Sequence, residues 1–211
     1  MESKVAPKTR LTSDERRASI VEAACKLFAG KGFRGTTTRE LAAAVGVTEP
    51  VLYEHFKTKR DLYSAIIESK ARQGIESVRA LSERYAGSND DTGFFKALGM
   101  NIIDFYTHDP NVVRLLLYSN LEGHELKDLF HERGSCCFAV VSRHIERRIQ
   151  EGAIRPVDPA LAARAFFGMV AHYALTGLVF GFAPLAKSTE EVIDEMVDIF
   201  MAGTCTRKDE K

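Results

Sequence analysis

Cysteine is scarce in this chain. Four occur in 211 residues, and none stands in a Cys-x-x-Cys spacing or beside a histidine pair. That pattern argues against a zinc site. Adjacent Cys136 and Cys137 are poorly placed to bridge each other, and no signal peptide opens the sequence, so reduced thiols in a cytoplasm are expected. Redox sensing by that pair would need exposure and a lowered thiol pKa. Net charge is absent too, with 29 basic and 29 acidic residues. The zero conceals an asymmetry: residues 1–60 hold 12 Lys/Arg against 7 Asp/Glu, and residues 61–211 hold 17 against 22. A basic module on an acidic body suggests a polyanionic partner at one end, although an excess of this size alone is also ordinary surface variation. No Gly-x-Ser-x-Gly, phosphate loop, His-Glu-x-x-His or paired-carboxylate constellation is present. His144-Ile-Glu146 and His124-Glu125 lie in charged helical contexts that read as solvated faces. The expectation is a protein that is not an enzyme, with no metal and no cofactor. Strand-like alternation between hairpin signals is also missing, which leaves an all-α fold of about nine helices.

What is present is concentrated between Thr36 and Arg60. Thr37-Thr38-Arg39-Glu40 has the Thr-x-x-Glu form of a capping box. Leu41, Ala42 and Val45 follow at helical spacing. Gly46 suits a left-handed helix exit. Thr48 can cap the next short helix, with Pro50 tolerated in its first turn. Leu52 and Phe56 face inward there, and Thr58 to Asp61 reads as another capping box. Helix, glycine turn and short helix form the layout of a helix-turn-helix reader, whose second helix enters the DNA major groove. Upstream, Thr12 and Glu15 open a first helix with a stripe of Ile20, Ala24, Leu27 and Phe28, ended at Lys31-Gly32. Residues 1–10 are polar and read as a mobile arm; Lys8 or Arg10 could reach a minor groove, though a plain disordered terminus is the simpler reading.

Residues Ile20 to Leu62 resemble the N-terminal domain of the TetR family of transcriptional regulators. The likeness rests on the Leu-Phe-x-x-x-Gly-Phe run from Leu27 to Phe33, the Thr-Thr-Arg start, the turn before Val47 and Leu-Tyr-x-His-Phe-x-x-Lys. Val45 departs from the alanine frequent before the turn glycine. The remaining chain is similar in length and helical character only. The resemblance implies a three-helix reading domain over 1–60 and a helical ligand-binding and dimerisation domain over 61–211.

Each outward residue of the reader has chemistry to offer. Thr37 and Thr38, at a helix N-terminus, can hold a phosphate. Arg39 can reach a guanine edge or a phosphate, Val51 suits a thymine methyl group, and Glu49 could accept from a cytosine amino group. Thr48 and Pro50 share the leading edge of the reader helix. Tyr53 and His55 can donate to phosphates, and Lys59 supplies a point charge. By resemblance, the positions of Thr38, Arg39, Glu49, Pro50, Val51, Tyr53, His55 and Lys59 are those such regulators use on DNA. Helix capping by Thr37 or Thr48 and packing by Tyr53 are compatible readings. A single reader helix per subunit predicts a twofold dimer on an inverted-repeat operator.

In the body, helices are expected from Lys59 to about Ala86, Thr92 to Thr107, after Asp109-Pro110, from Glu125 to Glu151, from Asp158-Pro159 to about Phe182 with Pro184 as the stop, and after Ser188. The resemblance implies a cavity for a small-molecule effector among the middle helices and a homodimer interface on the last two, about 159–183 and 189–203. Candidate ligand residues are Asn101, Phe105, Tyr106, Tyr118, Phe138, Phe166, Met169, His172 and Tyr173; solid core packing is the competing reading for each. Ala165 to Ala186 carries no charge, and Gly177-x-x-x-Gly181 resembles a membrane packing motif, so a membrane-anchored or adaptor protein is the alternative. His172, Tyr173, Thr176 and Pro184 interrupt that run, and a helix apolar all round also suits a subunit interface. The preferred expectation is a cytoplasmic, DNA-binding, ligand-responsive regulator without a membrane partner. Repression is the default, because a bound dimer can block polymerase unaided.

Overall fold

The computed structural model describes residues 12–206 except 109, 122–124 and 184, and describes only the backbone at 119, 120, 125–135 and 179. The arm expected over 1–10, the cap at Asp109, the stop at Pro184 and His124 lie outside the described residues. Those described form nine α-helices: α1 Ser13–Lys31, α2 Thr38–Val45, α3 Glu49–His55, α4 Lys59–Arg84, α5 Asp91–His108, α6 Pro110–Leu121, α7 Glu125–Gln150, α8 Pro159–Phe180 and α9 Thr189–Thr204. Among them there is no strand beyond a single isolated bridge, Ile154 to Cys205, which ties the segment after α7 to the end of α9.

Local capping starts these helices where the side chains require it. Thr12 and Glu15, Thr37 and Glu40, and Ser188 and Glu191 each form the reciprocal box. Thr58 accepts from the Asp61 N–H at 3.0 Å, the forward half of the box. Asp158 accepts from the Leu161 N–H at 2.8 Å to open α8. The end of α8 falls earlier than Phe182. Gly181 takes a left-handed φ of 65°, and the Phe182 N–H returns to the Thr176 carbonyl at 3.2 Å. Glycine adopts that backbone at no steric cost, so the helix closes there before reaching the proline.

Two hydrophobic cores share α4. The first joins Ile20, Phe28, Leu41, Leu52, Phe56, Leu62, Tyr63 and Ile66 to Val112 and Leu115 of α6. The second joins Val78 to Phe94, Phe95, Leu98, Val141, Ile145, Ala163, Phe166, Val170, Ile193 and Val197. At 1.5 Å per residue the 26 residues of α4 span roughly 39 Å, enough to run from one core into the other. Residues on both sides of position 60 therefore share the first core. Tyr63 adds a polar tie, its hydroxyl donating to the Leu115 carbonyl at 3.0 Å.

One expectation is overturned in the body. His144 is buried, with 4% of its surface exposed, and stacks on Phe94 at 3.8 Å. Its Nε2 lies 3.3 Å from Asp91 Oδ1, and Arg148 Nε donates to both Asp91 oxygens at 2.8 and 3.0 Å. Partners 53 and 57 residues away hold a charged-looking stretch of α7 inside, while Glu146 stays exposed. Burial pushes the Asp91 carboxyl up, but the hydrogen bonds from His144 and Arg148 outweigh it and leave the group below its ordinary value.

Candidate nucleic-acid interface

The second and third helices of the reader, α2 and α3, are joined by a turn that a left-handed residue closes. Gly46 has φ 72° and ψ 34°, and its N–H bonds the Ala43 carbonyl while the Val47 N–H bonds the Ala42 carbonyl. Leu41 and Ala42 bury one side of α2, and Leu52 and Phe56 anchor α3. Arg17 of α1 lies 4.5 Å over the Phe56 ring and holds that end from above. With α3 pinned from within, Thr48, Pro50, Tyr53 and Glu54 are exposed, and Val51 and His55 half-buried. Tyr53 keeps 44% of its surface in solvent.

The polar groups around this edge already hold one another in place. Thr37 bonds Glu40 in both directions, and Lys31 reaches Glu40 at 2.5 Å. The Lys31 hydrogen bond, with those from Thr37, pulls the Glu40 carboxyl down to about 2. The Thr38 hydroxyl donates to Glu49 at 2.9 Å and bridges the starts of α2 and α3. Glu49 is thus half-buried and tied to Thr38. Thr48 takes the N-cap backbone conformation without a capping bond from its side chain, so its hydroxyl is not consumed by the helix. Lys59 donates to the Phe33 and Thr36 carbonyls at 2.8 and 2.9 Å and lies 4.4 Å over the Phe33 ring. Two of its three N–H groups staple the loop before α2, which leaves one for any phosphate. Arg39 and Thr37 are exposed on the same approach. Exposed Arg34 and Lys57 flank it as well and did not figure among the expected contacts; only their basic charge near the motif could have marked them.

The candidate ligand residues divide. Asn101, Phe105, Tyr106 and Phe138 line a cavity of about 200 Å³ between α4, α5, α6, α7 and α8. Phe167, Cys137 and Lys70 join them there without having been anticipated. Asn101 donates to the Ser77 hydroxyl. Burial pushes the Tyr106 hydroxyl up and the Cys137 thiol up to about 11, so both stay protonated at neutral pH. Phe166 packs in the body core against Phe95 and Phe200 at 4.9 and 5.1 Å. Tyr118, Met169 and Tyr173 are half-buried away from the cavity lining, and His172 is exposed on α8. Among the described residues no cluster of His, Cys, Asp or Glu could hold a metal ion.

Comparison with known proteins bears on this arrangement at both ends. Residues 20–66 match the family described as bacterial regulatory proteins, tetR family, and residues 95–203 match the AefR-like transcriptional repressor C-terminal domain. The HTH-type transcriptional activator FasR of Mycolicibacterium smegmatis is 32% identical over 107 residues, 51% of this chain and 48% of its own. The chain spans about half the length, or less, of the first relatives it matches, 42% and 48%. A TetR-family transcriptional regulator from Mesorhizobium loti superposes with a TM-score of 0.76 at 22% identity, over 93% of this chain and all of that one. AibR, solved with isovaleryl coenzyme A and operator DNA, superposes at 0.66 with 27% identity over 88% of this chain and 97% of its own. A reader match at one end and a regulator-body match over more than half the chain at the other place this protein in the TetR family of transcriptional regulators.

Proposed function

We propose that residues 1–60 read a double-stranded operator and that residues 61–211 bind a small-molecule effector and form a homodimer. The observation carrying the reading is the inward anchoring of α3 by Leu52 and Phe56, which leaves Thr48, Pro50 and Tyr53 exposed along one edge. A helix held this way can enter a major groove, and a twofold dimer would place two on an inverted repeat. Thr37, Thr38, Arg39, Tyr53, His55 and Lys59 would face phosphates. Thr48, Pro50 and Val51 would meet base edges, with Glu49 acting through Thr38 or on a cytosine. The setting is the cytoplasm, and repression by occupancy is the simplest output.

The dimer face would be α8 and α9. Leu161 and Phe180 of α8, Ile199 of α9 and Phe182 just beyond α8 are 65–68% exposed, apolar surface that a partner subunit would cover. One helix, Pro159–Leu178, is also long and apolar enough to cross a membrane. Against that alternative, its inner side buries Ala163, Phe166 and Val170 in the body core, while Arg164 and His172 are exposed on α8. A charged and a polar group facing lipid would be costly. For the effector, the cavity lined by Phe105, Phe138 and Phe167 suits an apolar group. AibR binds isovaleryl coenzyme A, a related chemistry.

The test is selection of bound duplexes from random DNA, then titration of the recovered sequence at two salt concentrations. Binding should weaken steeply with salt. Tyr53→Ala should weaken it on every sequence, while Glu49→Ala should change base preference. Salt-independent binding, a monomer on the operator, or partition of the protein into membranes would defeat the proposal.

A further inference from the structure

Two recesses lie along α4 and α7. The apolar cavity takes Ala71, Gly74 and Val78 from α4 and Cys137 and Phe138 from α7. A second, open groove of about 390 Å³ takes Arg79 and Ser82 from α4 and Val140, Arg143 and Arg147 from α7. On both helices the groove residues follow directly after the cavity residues, so the recesses succeed one another along the pair. Eight residues separate their midpoints on α4, roughly 12 Å at helical rise. The groove holds three guanidinium groups against one carboxylate, Glu83. Arg147 is committed to the Ala86 carbonyl and to His144 Nδ1, which accepts from it while Nε2–H is assigned to Asp91. Arg79 and Arg143 are exposed, and Arg143 spends only its Nε on the Ala139 carbonyl at 3.2 Å.

We infer that cavity and groove together form one site for a short amphipathic anion, its alkyl chain in the cavity and its carboxylate or phosphate head on Arg79 and Arg143. This rests on the reading of the cavity as an effector site and adds the head-group recognition. Guanidinium forks match either oxyanion in two parallel hydrogen bonds, so the chemistry is shared by a free acid and an acyl-coenzyme A. The cavity sets chain length. At about 200 Å³ it is smaller than the roughly 300–1,000 Å³ of an ordinary ligand pocket, which favours a short chain over a long one.

The test uses the full chain and calorimetric titration with octanoate, octanoyl-coenzyme A, 1-octanol and coenzyme A alone. One or both of the acyl anions should bind about tenfold or more tightly than the alcohol, which has no charge for the arginines; which one does separates the two sources. Arg79→Gln with Arg143→Gln should remove that advantage and leave octanol binding unchanged. Gly74→Leu should block every alkyl probe by filling the cavity, while Gly74→Ala, whose Cβ meets nothing within 4 Å, should keep the melting temperature and serve as the folded control. Equal binding of octanol and both anions, or coenzyme A binding as well as its octanoyl ester, would overturn the two-part site, as would indifference to the arginine changes. Absence of binding by any alkyl probe would overturn it as well. Arginine-dependent binding that leaves operator affinity unchanged would instead defeat the effector role and keep the site.

Discussion

The reading end and the body use the same kind of ion pair in opposite settings. Lys31 and Glu40 meet at 2.5 Å with side chains 50% and 38% exposed; Arg148 and Asp91 meet at 2.8 Å with 6% and 9% exposed. At the surface, water satisfies either charge once the partner is gone, so the pair adds little. In the interior a stranded charge has no such refuge, and losing one partner costs far more than the pair contributes. The charged contacts on the reader's surface can therefore be lost one at a time at little cost. The body depends on a contact closed across 57 residues.

The sharpest way to break that contrast is Asp91→Asn. It leaves Arg148 buried with only the Glu151 carboxylate and Asn89 beside it, and should cost about 3 kcal/mol in urea denaturation. Asp91→Leu combined with Arg148→Met should recover most of the loss, since no charge is then stranded. A double variant as unstable as the single would show that the pair matters through packing. Next in size is Tyr63→Phe, which removes the hydroxyl bonded to the Leu115 carbonyl between α4 and α6. Loss of that buried bond should cost about 1 kcal/mol, and hydrogen exchange should loosen in α6 together with the reader helices. Exchange that quickens in α6 alone would mean the first core does not act as a unit. Gly46→Ala should destabilise by a similar or smaller amount, about 1 kcal/mol for a Cβ forced into a left-handed turn. Its larger effect should fall on operator affinity, because the turn sets the angle between α2 and α3.

What could be read from the chain follows the same division. The boxes at Thr12, Thr37 and Ser188, the turn at Gly46 and the inward pair Leu52 and Phe56 are legible because every partner lies within a few residues. Lys59 was not legible as a loop staple, since its carbonyl partners stand 26 and 23 residues upstream. His144 reads as solvent-facing for the same reason: its neighbours on α7 are charged, and the aspartate that it meets in the interior comes from α5. Around Ala165 the run is apolar on every side, so helical periodicity has no phase to reveal. Phe166 goes to the core and Phe167 to the cavity, a difference of one helical step that only packing decides.

The smallest effect separates the two pairs by titration. Both carboxyls lie below their ordinary values, Glu40 at about 2 through Lys31 and Thr37, Asp91 through His144 and Arg148 against the opposing pull of burial. A carboxyl depressed in the folded state contributes stability that is present above its unfolded pKa and disappears as pH falls through the folded one. For Glu40 that window runs from the ordinary 4.5 down to about 2. Carboxyl resonances followed by NMR at low and high salt should therefore move differently. Raising salt should bring Glu40 back toward its ordinary value, because ions reach an exposed pair, and should leave Asp91 nearly where it was. Lys31→Met should raise Glu40 only part of the way, the Thr37 bonds remaining. Equal salt sensitivity at the two sites would mean that water reaches Asp91, and the stranded-charge argument for the body would fall with it.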